Sequence, residues 1–184
     1  MYSGKLNRGK GLECLLRAWA LHREQNGPGR LVLVGGGAGH HLSCEEELRA
    51  FVTDKKLDST VTFAGYQPDV ETYLKAADAF LFPSENEALG LALLEAMACG
   101  LPVLSAAAGG MLDIVEDERN GGLIPVGDDQ AWRRGMGRMV AEHAVLRKTW
   151  GAAARETAIN KFGFAQSAAK HLELMRELIQ KRGA

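Results

Sequence analysis

Two lysines and several glycines stand close together in the segment SGKLNRGKGLE, residues 3–13. Gly4, Gly9 and Lys10 have nearly the spacing of an ATP-binding phosphate loop, in which backbone amides and a lysine hold phosphate oxygens. That loop also needs a strand before it and Ser or Thr after the lysine, whereas Gly11 follows Lys10 and three residues precede Gly4. The second half of the pattern therefore fails, and the segment does not predict the magnesium site of a P-loop nucleotidase.

Two glutamates, Glu87 and Glu95, flank seven residues in the segment FPSENEALGLALLEAMACGLPVLS, residues 82–105. Apolar residues recur at helical spacing after Gly90, and a glycine and a proline follow them, so we expect a helix that begins near Gly90. The first amides of a helix lack intrahelical acceptors and lie at the positive end of its dipole. This helix start therefore predicts an anion-binding element.

Strand and helix patterns alternate along the chain and must position these two segments. Runs that are apolar throughout predict buried strands at residues 31–35, 61–65, 79–82, 102–105 and 122–126. Helical periodicity lies between them at 11–25, 45–55, 70–77 and 90–99, and continues from 129 to the end with a break at 161–164. The alternation predicts an α/β fold, a Rossmann-like parallel sheet with helices on both faces. Ligands of such sheets bind beyond the carboxyl ends of the strands.

Length and composition favour a single domain, residues 1–184, because 46% of the 184 residues are apolar and can form its core. The opening MYSG holds at most the end of a strand, so we expect one half of a larger architecture. The net charge of −1 favours neither nucleic acid nor an anionic membrane as a partner. The three cysteines lack disulfide or zinc spacing, which fits a cytoplasmic protein. No transmembrane segment or secretion signal is predicted.

Some polar residues are expected to have structural roles only. Three consecutive glutamates, residues 45–47, are expected to form a solvated helix face. His40 and His41 lie near Cys44, but their spacing matches no zinc pattern.

The segment PSENEALGLALLEAMACGLPVLS resembles the E-x7-E motif of retaining group 1 (family 4) glycosyltransferases, in the C-terminal, donor-binding half of their GT-B fold. Other pieces follow in the family's order: GKLNRGKG is similar to its G-R-L-x-x-x-K-G, LVLVGGG to its strand and glycine loop, VTFAGY to its base-contacting turn, and GGMLDIVEDERNGGLI to its G-G-x-x-E-I-V with a later glycine hairpin. The resemblance covers about residues 4–126. It departs at Lys5, where the family usually has arginine, at Ala88 and Leu89 in place of Gly-Phe, and at Asp113 in place of glutamate.

The resemblance implies a role for each residue that matches a family motif. Lys5 and Lys10 would reach the two phosphates of the donor, and Glu87 would lie beside the transferred sugar, so these three form the expected catalytic set. Glu95 would accept hydrogen bonds from the ribose hydroxyls. The other expected donor-binding residues belong to the glycine loops, the base-contacting turn and the helix start: Gly4, Gly35, Gly37, Tyr66, Gln67, Leu89, Gly90 and Leu91.

The same resemblance implies a hexosyltransferase of polysaccharide biosynthesis that takes a hexose from a UDP- or GDP-sugar with retention of configuration. No cofactor and no metal are expected, because the sequence contains no D-x-D carboxylate pair. A glycan or lipid-linked acceptor would bind to an N-terminal domain missing from this chain. The full protein would be able to associate peripherally with a membrane. We expect weak or no transfer by this half alone.

Three other functions would use the same residues. A sugar-nucleotide-binding module without catalysis of its own agrees with the presence of one half. An NAD-binding Rossmann domain would use Gly35 and Gly37 in G-x-G-x-x-G, but His40 occupies the third glycine position. A glycosidase would use Glu87 and Glu95 as acid and nucleophile. That assignment leaves the two lysines of the first segment without a role.

Overall fold

The computed structural model describes residues 1–25, 27–37 and 39–182, and strands and helices alternate through this range. The strands are β1 (Tyr2–Ser3), β2 (Leu31–Val34), β3 (Val61–Gly65), β4 (Phe80–Phe82), β5 (Val103–Ala106) and β6 (Gly122–Ile124). The helices are α1 (Leu12–Glu24), α2 (Glu45–Asp54), α3 (Val70–Ala76), α4 (Leu91–Ala98), α5 (Met111–Ile114), α6 (Asp129–Ala141), α7 (His143–Leu146), α8 (Ala152–Phe162) and α9 (Phe164–Arg182). A π-helical turn, Arg147–Gly151, joins α7 to α8.

The strands form two parallel three-stranded sheets, ordered β1-β2-β3 and β4-β5-β6. The sheets meet at Met1, whose nitrogen donates to the Ala79 carbonyl (2.7 Å) and whose carbonyl accepts from the Leu81 N–H (2.8 Å). This pair of hydrogen bonds is the pattern of parallel neighbours, so β4 lies beside β1. The complete order is therefore β3-β2-β1-β4-β5-β6, which is that of a doubly wound Rossmann fold.

The core lies between these sheets and helices on both of their sides. All residues of β4 and β5 are buried, as expected for strands covered on both faces. Helix α1 packs against α2 and α6, and α4 packs against α8. Trp132 of α6 and Phe80 of β4 are among the largest fully buried side chains. The predicted α/β fold with helices on both faces is confirmed.

The five predicted strands and the four helices predicted between them all form, and MYSG does contain a short strand. The strand predicted over 122–126 ends at Ile124, where Pro125 follows and has no N–H for the ladder. The predicted break near 161–164 falls at Gly163, between α8 and α9. Helix α5 was not predicted, because four residues are too few to show a period. Residues 183 and 184 of the expected C-terminal helical region lie outside the described residues.

Candidate functional site

A cleft of about 490 Å³ lies at the carboxyl edge of the first sheet, beside α4. Six of the residues predicted to bind the donor line it: Gly4, Lys5, Gly35, Tyr66, Gln67 and Glu95. They come from the loops after β1, β2 and β3 and from α4, so four segments distant in sequence converge there. Strand polarity explains the convergence, because the carboxyl ends of parallel strands meet at one edge.

Two glycines allow the first two loops of the cleft to approach each other. The Gly4 N–H donates to the Val34 carbonyl at 2.9 Å, and Gly35 has a φ of 126°. A Cβ at Gly35 would lie 1.9 Å from the Gly4 carbonyl oxygen. No side chain fits this contact, so glycine is required at position 35 by close packing as well as by backbone conformation.

Lys5 lines the cleft, and a hydrogen bond from Tyr2 holds its backbone carbonyl. The buried Tyr2 hydroxyl donates to the Lys5 carbonyl at 3.0 Å. Burial raises the pKa of Tyr2, so its hydroxyl remains a neutral donor at physiological pH. The Lys5 side chain is exposed, and a positive charge is therefore available at the mouth of the cleft.

Lys10 lies against the loop that precedes α4. Its Nζ is 2.5 Å from Oε1 of Glu87, and the two side chains are 25% and 24% exposed. The Glu85 N–H also donates to the Gly9 carbonyl at 3.0 Å. The structure therefore brings together the predicted catalytic residues Lys10 and Glu87, although 77 positions separate them in the chain.

The start of α4 supplies backbone donors next to this ion pair. Gly90 is buried with a φ of 70° and forms the N-cap of α4, as predicted. Within the described residues, no acceptor lies in hydrogen-bond range of the N–H groups of Leu91 and Ala92. Ala92 lines the cleft and Leu91 is exposed, so unpaired amides of the helix start adjoin the cleft. Leu89, also predicted, is partly exposed just before the N-cap.

The loop that carries Glu87 is held in place by a pair of glycines after β5. The Gly110 N–H donates to the Glu87 carbonyl at 2.9 Å. A Cβ at Gly109 would lie 2.4 Å from the Glu87 carbonyl oxygen, and one at Gly110 would lie 2.1 Å from that of Ala88. The GGMLDIV motif therefore supports the loop that precedes α4, and sequence reasoning did not anticipate this role.

Three further cleft residues offer polar and aromatic contacts. Glu95 is exposed on α4, and its carboxylate has no hydrogen-bond partner among the described residues. Gln67 Nε2 donates to the Ala64 carbonyl at 2.7 Å, which fixes the amide. Tyr66 is 82% exposed, so the face of its ring is open to a planar ligand.

In the glycine loop, Gly35–Gly37, the residues that line the cleft differ in part from the two that were predicted to bind the donor. The Gly35 N–H donates to the Gly65 carbonyl (2.8 Å), and the Gly37 N–H donates to Oε2 of Glu45 (2.8 Å). Gly37 does not line the cleft, whereas Gly36 does, and the Gly36 N–H has no acceptor among the described residues. Gly36 and Ala92 are thus cleft residues that the sequence reasoning missed; the GGG run pointed to the loop but not to this residue.

The polar residues outside the cleft are partly as expected. Glu46 and Glu47 are exposed, but Glu45 is not a solvated residue, because it is bonded to the glycine loop. His40 and His41 stack with ring centroids 4.8 Å apart, and His40 Nδ1 lies 3.2 Å from Asn7 Nδ2. Among the described residues, no three His, Cys, Asp or Glu side chains are grouped to hold a metal ion. All three cysteines are free.

No helix in the described part of the chain combines the length and the apolar character needed to cross a membrane.

Sequence relatives of the chain are glycosyltransferases. Residues 1–157 match the family model described as glycosyl transferases group 1. The D-inositol 3-phosphate glycosyltransferase of Xylanimonas cellulosilytica is 32% identical over 189 residues, which cover 100% of this chain and 43% of that protein. The amylovoran biosynthesis glycosyltransferase AmsK of Erwinia amylovora is 33% identical over 135 residues, covering 69% of this chain and 32% of that protein. The chain thus spans less than half the length of these relatives.

Solved structures with the same fold are GT-B glycosyltransferases. Sucrose-phosphate synthase from Thermosynechococcus elongatus superposes with a TM-score of 0.88 at 32% identity, covering 98% of this chain and 45% of that one. Anabaena HepE in complex with UDP gives a TM-score of 0.87 at 26% identity, covering 96% and 48%. Sequence and fold agree, and the chain belongs to the family of group 1 glycosyltransferases.

Proposed function

We propose that this chain is the donor-binding half of a hexosyltransferase, and that its cleft holds a UDP- or GDP-sugar. The observation that carries the proposal is the convergence of Lys5, Tyr66, Gln67 and Glu95 on one cleft beside the start of α4. The structures of HepE with UDP and with UDP-glucose support a nucleotide sugar as the ligand class.

The diphosphate would lie between the lysines and the start of α4. A departing nucleoside diphosphate gains negative charge, and fixed positive groups that stabilise this charge commonly make the largest contribution to catalysis. Lys5, Lys10 and the amides at Leu91 and Ala92 can provide such groups. We propose that they do so without a metal ion, because positive charge and free N–H donors already adjoin the cleft.

The nucleoside would lie against Glu95, Tyr66 and Gln67 in the cleft. The carboxylate of Glu95 is free to accept hydrogen bonds from two neighbouring ribose hydroxyls. The exposed Tyr66 ring and the fixed amide of Gln67 would contact the base. In this proposed pose the sugar of the donor would lie toward Glu87 and the loop before α4.

Glu87 is proposed to contact the transferred hexose. In the present structure its carboxylate pairs with Lys10, so the arriving diphosphate must compete with it for the lysine. Transfer with retention, in which a phosphate oxygen of the leaving group helps to deprotonate the acceptor, requires no protein base from this half. The residues of this half would then bind, orient and neutralise the donor.

The acceptor is proposed to be a glycan or a lipid-linked glycan in polysaccharide biosynthesis, bound mainly by a second domain of the complete enzyme. We propose a cytoplasmic enzyme, in line with three free cysteines, and a peripheral association of the full protein with a membrane. Because the chain spans less than half of its relatives, we expect this half to bind donor but to transfer little sugar. A sugar-nucleotide-binding module without catalysis by itself is the second function that this observation favours.

Donor binding is tested by differential scanning fluorimetry and calorimetry. UDP-glucose or GDP-mannose should raise the unfolding midpoint in the presence of EDTA, because the ligand binds the folded chain alone. ATP with magnesium and NAD should produce no comparable shift. Stabilisation by NAD or ATP alone, or a strict need for a divalent metal, would overturn the proposal in its present form.

Glu95→Ala should weaken nucleotide binding, since the proposed ribose contacts are lost, while the unfolding midpoint without ligand stays near that of the wild type. Glu156→Ala, which removes an exposed glutamate on α8, is the matched control and should leave affinity unchanged. Equal affinities of the wild type and both variants would rule out the ribose role of Glu95.

A further inference from the structure

The side chain of Glu45 accepts a backbone hydrogen bond from the glycine loop, Gly35–Gly37. Its Oε2 accepts the Gly37 N–H at 2.8 Å, and its Oε1 accepts from Arg49 Nε at 3.1 Å and Nη2 at 2.8 Å. Both carboxylate oxygens are therefore engaged, and the side chain is only 20% exposed. A carboxylate held on two sides in this way has little freedom to move, so it can define the position of the amide that it binds.

Close packing leaves the backbone at Gly37 little room for another position. Gly37 is buried, and a Cβ there would lie 2.1 Å from Ser43 Oγ and 2.8 Å from the Leu6 carbonyl oxygen. The Leu6 N–H in turn donates to the Gly36 carbonyl at 3.2 Å. With its neighbours fixed on both sides, Gly36 is left with one free polar group, the N–H, at the wall of the cleft.

Arg49 extends the same network to β3, the strand that precedes Tyr66. Its guanidinium lies over the ring of Phe63 with 4.4 Å to the ring centroid. Phe63 belongs to β3, whose last residue, Gly65, immediately precedes Tyr66. The contacts from Gly37 through Glu45 and Arg49 to Phe63 thus connect the loop after β2 with the strand that carries the loop after β3.

We propose that Glu45 is a positioning residue for donor binding, and that it keeps the Gly36 N–H available to a phosphate or ribose oxygen by fixing the backbone at Gly37. Arg49 acts through Glu45. This role rests on the proposed function of the cleft, and it names residues outside the cleft that set its affinity.

Electrostatics explains why the carboxylate at this place is accompanied by an arginine. An unpaired carboxylate one residue from the cleft would repel a diphosphate, whereas the guanidinium of Arg49 neutralises it. Two hydrogen bonds lower the pKa of Glu45: the one from the Gly37 N–H has the larger effect, and the one from Arg49 adds to it. The carboxylate therefore stays ionised as an acceptor. The pair therefore provides a strong acceptor for the loop without adding net charge beside the anion site.

Calorimetric titration with UDP tests the proposal. Glu45→Ala should weaken UDP binding by about tenfold, a typical effect of losing one charge-assisted positioning hydrogen bond. Glu45→Gln retains an acceptor oxygen and should recover part of this loss. The control is Glu46→Ala on the same turn of α2, where the side chain is exposed, and it should bind UDP like the wild type. A purely structural role predicts instead a lower unfolding midpoint for Glu45→Ala with unchanged affinity at a temperature where the variant is folded, and that result would overturn the proposal.

Hydrogen exchange separates this inference from the proposed function. If the wild type binds neither UDP nor GDP, the proposed function fails, and exchange at Gly37 still decides whether the contact holds the loop. Exchange of the Gly37 amide should accelerate in Glu45→Ala and not in Glu46→Ala; unchanged exchange would refute the role of Glu45.

A double-mutant cycle tests the role of Arg49. Arg49→Ala should lower UDP affinity in the wild type but not in Glu45→Ala, and additive losses would show that Arg49 does not act through Glu45.

Discussion

Nζ of Lys10 lies 2.5 Å from Oε1 of Glu87, and this contact joins the loop after β1 to the loop after β4. The two loops belong to different sheets, so the ion pair connects the two halves of the fold at the proposed diphosphate site. Its partners are three-quarters shielded from solvent, yet either one remains within reach of a ligand. The pair therefore holds the lysine in place beside the proposed diphosphate site.

Replacement of Lys10 by alanine should weaken UDP binding by about 10- to 100-fold, because one charged hydrogen bond is lost and Glu87 is left unpaired near the phosphates. Stability without ligand should change by less than about 1 kcal/mol, since partly exposed ion pairs contribute little. Calorimetry and urea unfolding measure the two effects. The control is Lys75→Ala, which breaks an exposed pair with Glu71 at 2.7 Å and should leave binding intact. A similar loss of affinity in both variants would argue against a specific phosphate contact.

Replacement of Gly11 by alanine should destabilise the chain more than replacement of Gly9. Both glycines have a positive φ, 66° and 80°, but a Cβ at Gly11 would lie 1.9 Å from the Pro83 carbonyl oxygen, whereas one at Gly9 has nothing within 4 Å. The Gly9 variant should lose about 1–2 kcal/mol from backbone strain alone. The Gly11 variant should lose more than ~3 kcal/mol, because the loop before α4 must also move. Urea unfolding gives both values, and equal losses would show that the Pro83 contact relaxes without cost.

Replacement of Asn120 by alanine should cost about 2–4 kcal/mol of stability, because several buried polar groups lose their partner at once. Asn120 is fully buried; its Oδ1 accepts the Glu116 N–H at 2.8 Å, and its Nδ2 donates to the Ile114 carbonyl and to Thr157 Oγ1, each at 3.1 Å. Asn160→Ala, at an exposed position on α8, should change stability by less than about 0.5 kcal/mol. Comparable unfolding free energies for the two variants would contradict the importance of this network.

The stability contributed by Glu45 should decrease in acid. Its folded-state pKa is lowered, first by the Gly37 N–H and then by Arg49, so below about pH 4.3, the usual pKa of an unfolded glutamate, the unfolded chain binds more protons than the folded one. The contribution is complete above that value and is lost as the pH falls through the lowered pKa. The difference in unfolding free energy between the wild type and Glu45→Gln should therefore shrink between pH 6 and pH 3. A constant difference for Glu45→Gln would contradict the lowered pKa.

The sequence was sufficient for the architecture and for the helix start at Gly90. Buried parallel strands read as uninterrupted apolar runs, and a glycine before a helical period marks an N-terminus, so both are visible over a few neighbouring residues. Lys10 and Glu87 were assigned to one catalytic set only through resemblance to a family, and their ion pair was not predicted. Local patterns cannot bring two residues so distant in sequence together; strand order does.

The sequence was not sufficient to decide which backbone amides of the glycine loop are free. Gly35 and Gly37 were predicted through the resemblance of LVLVGGG to the family's glycine loop, but the Gly35 N–H pairs with Gly65 on the next strand and the Gly37 N–H pairs with Glu45. These pairings depend on strand register and on one rotamer of a helical glutamate. Glu45 itself resembled its exposed neighbours Glu46 and Glu47, since a run of three glutamates carries no signal of which one turns inward.

The seam between the two sheets is closed by two backbone hydrogen bonds at Met1 within the described residues. The cleft straddles this seam, with Gly4, Gly35 and Tyr66 on one side and α4 on the other. A nucleotide sugar in the cleft would therefore contact elements on both sides of this boundary and hold the two sheets together. Because the ligand would bind the folded chain alone, its concentration would lower the population of opened states, and the supply of activated sugar would also govern the resistance of this protein to proteases.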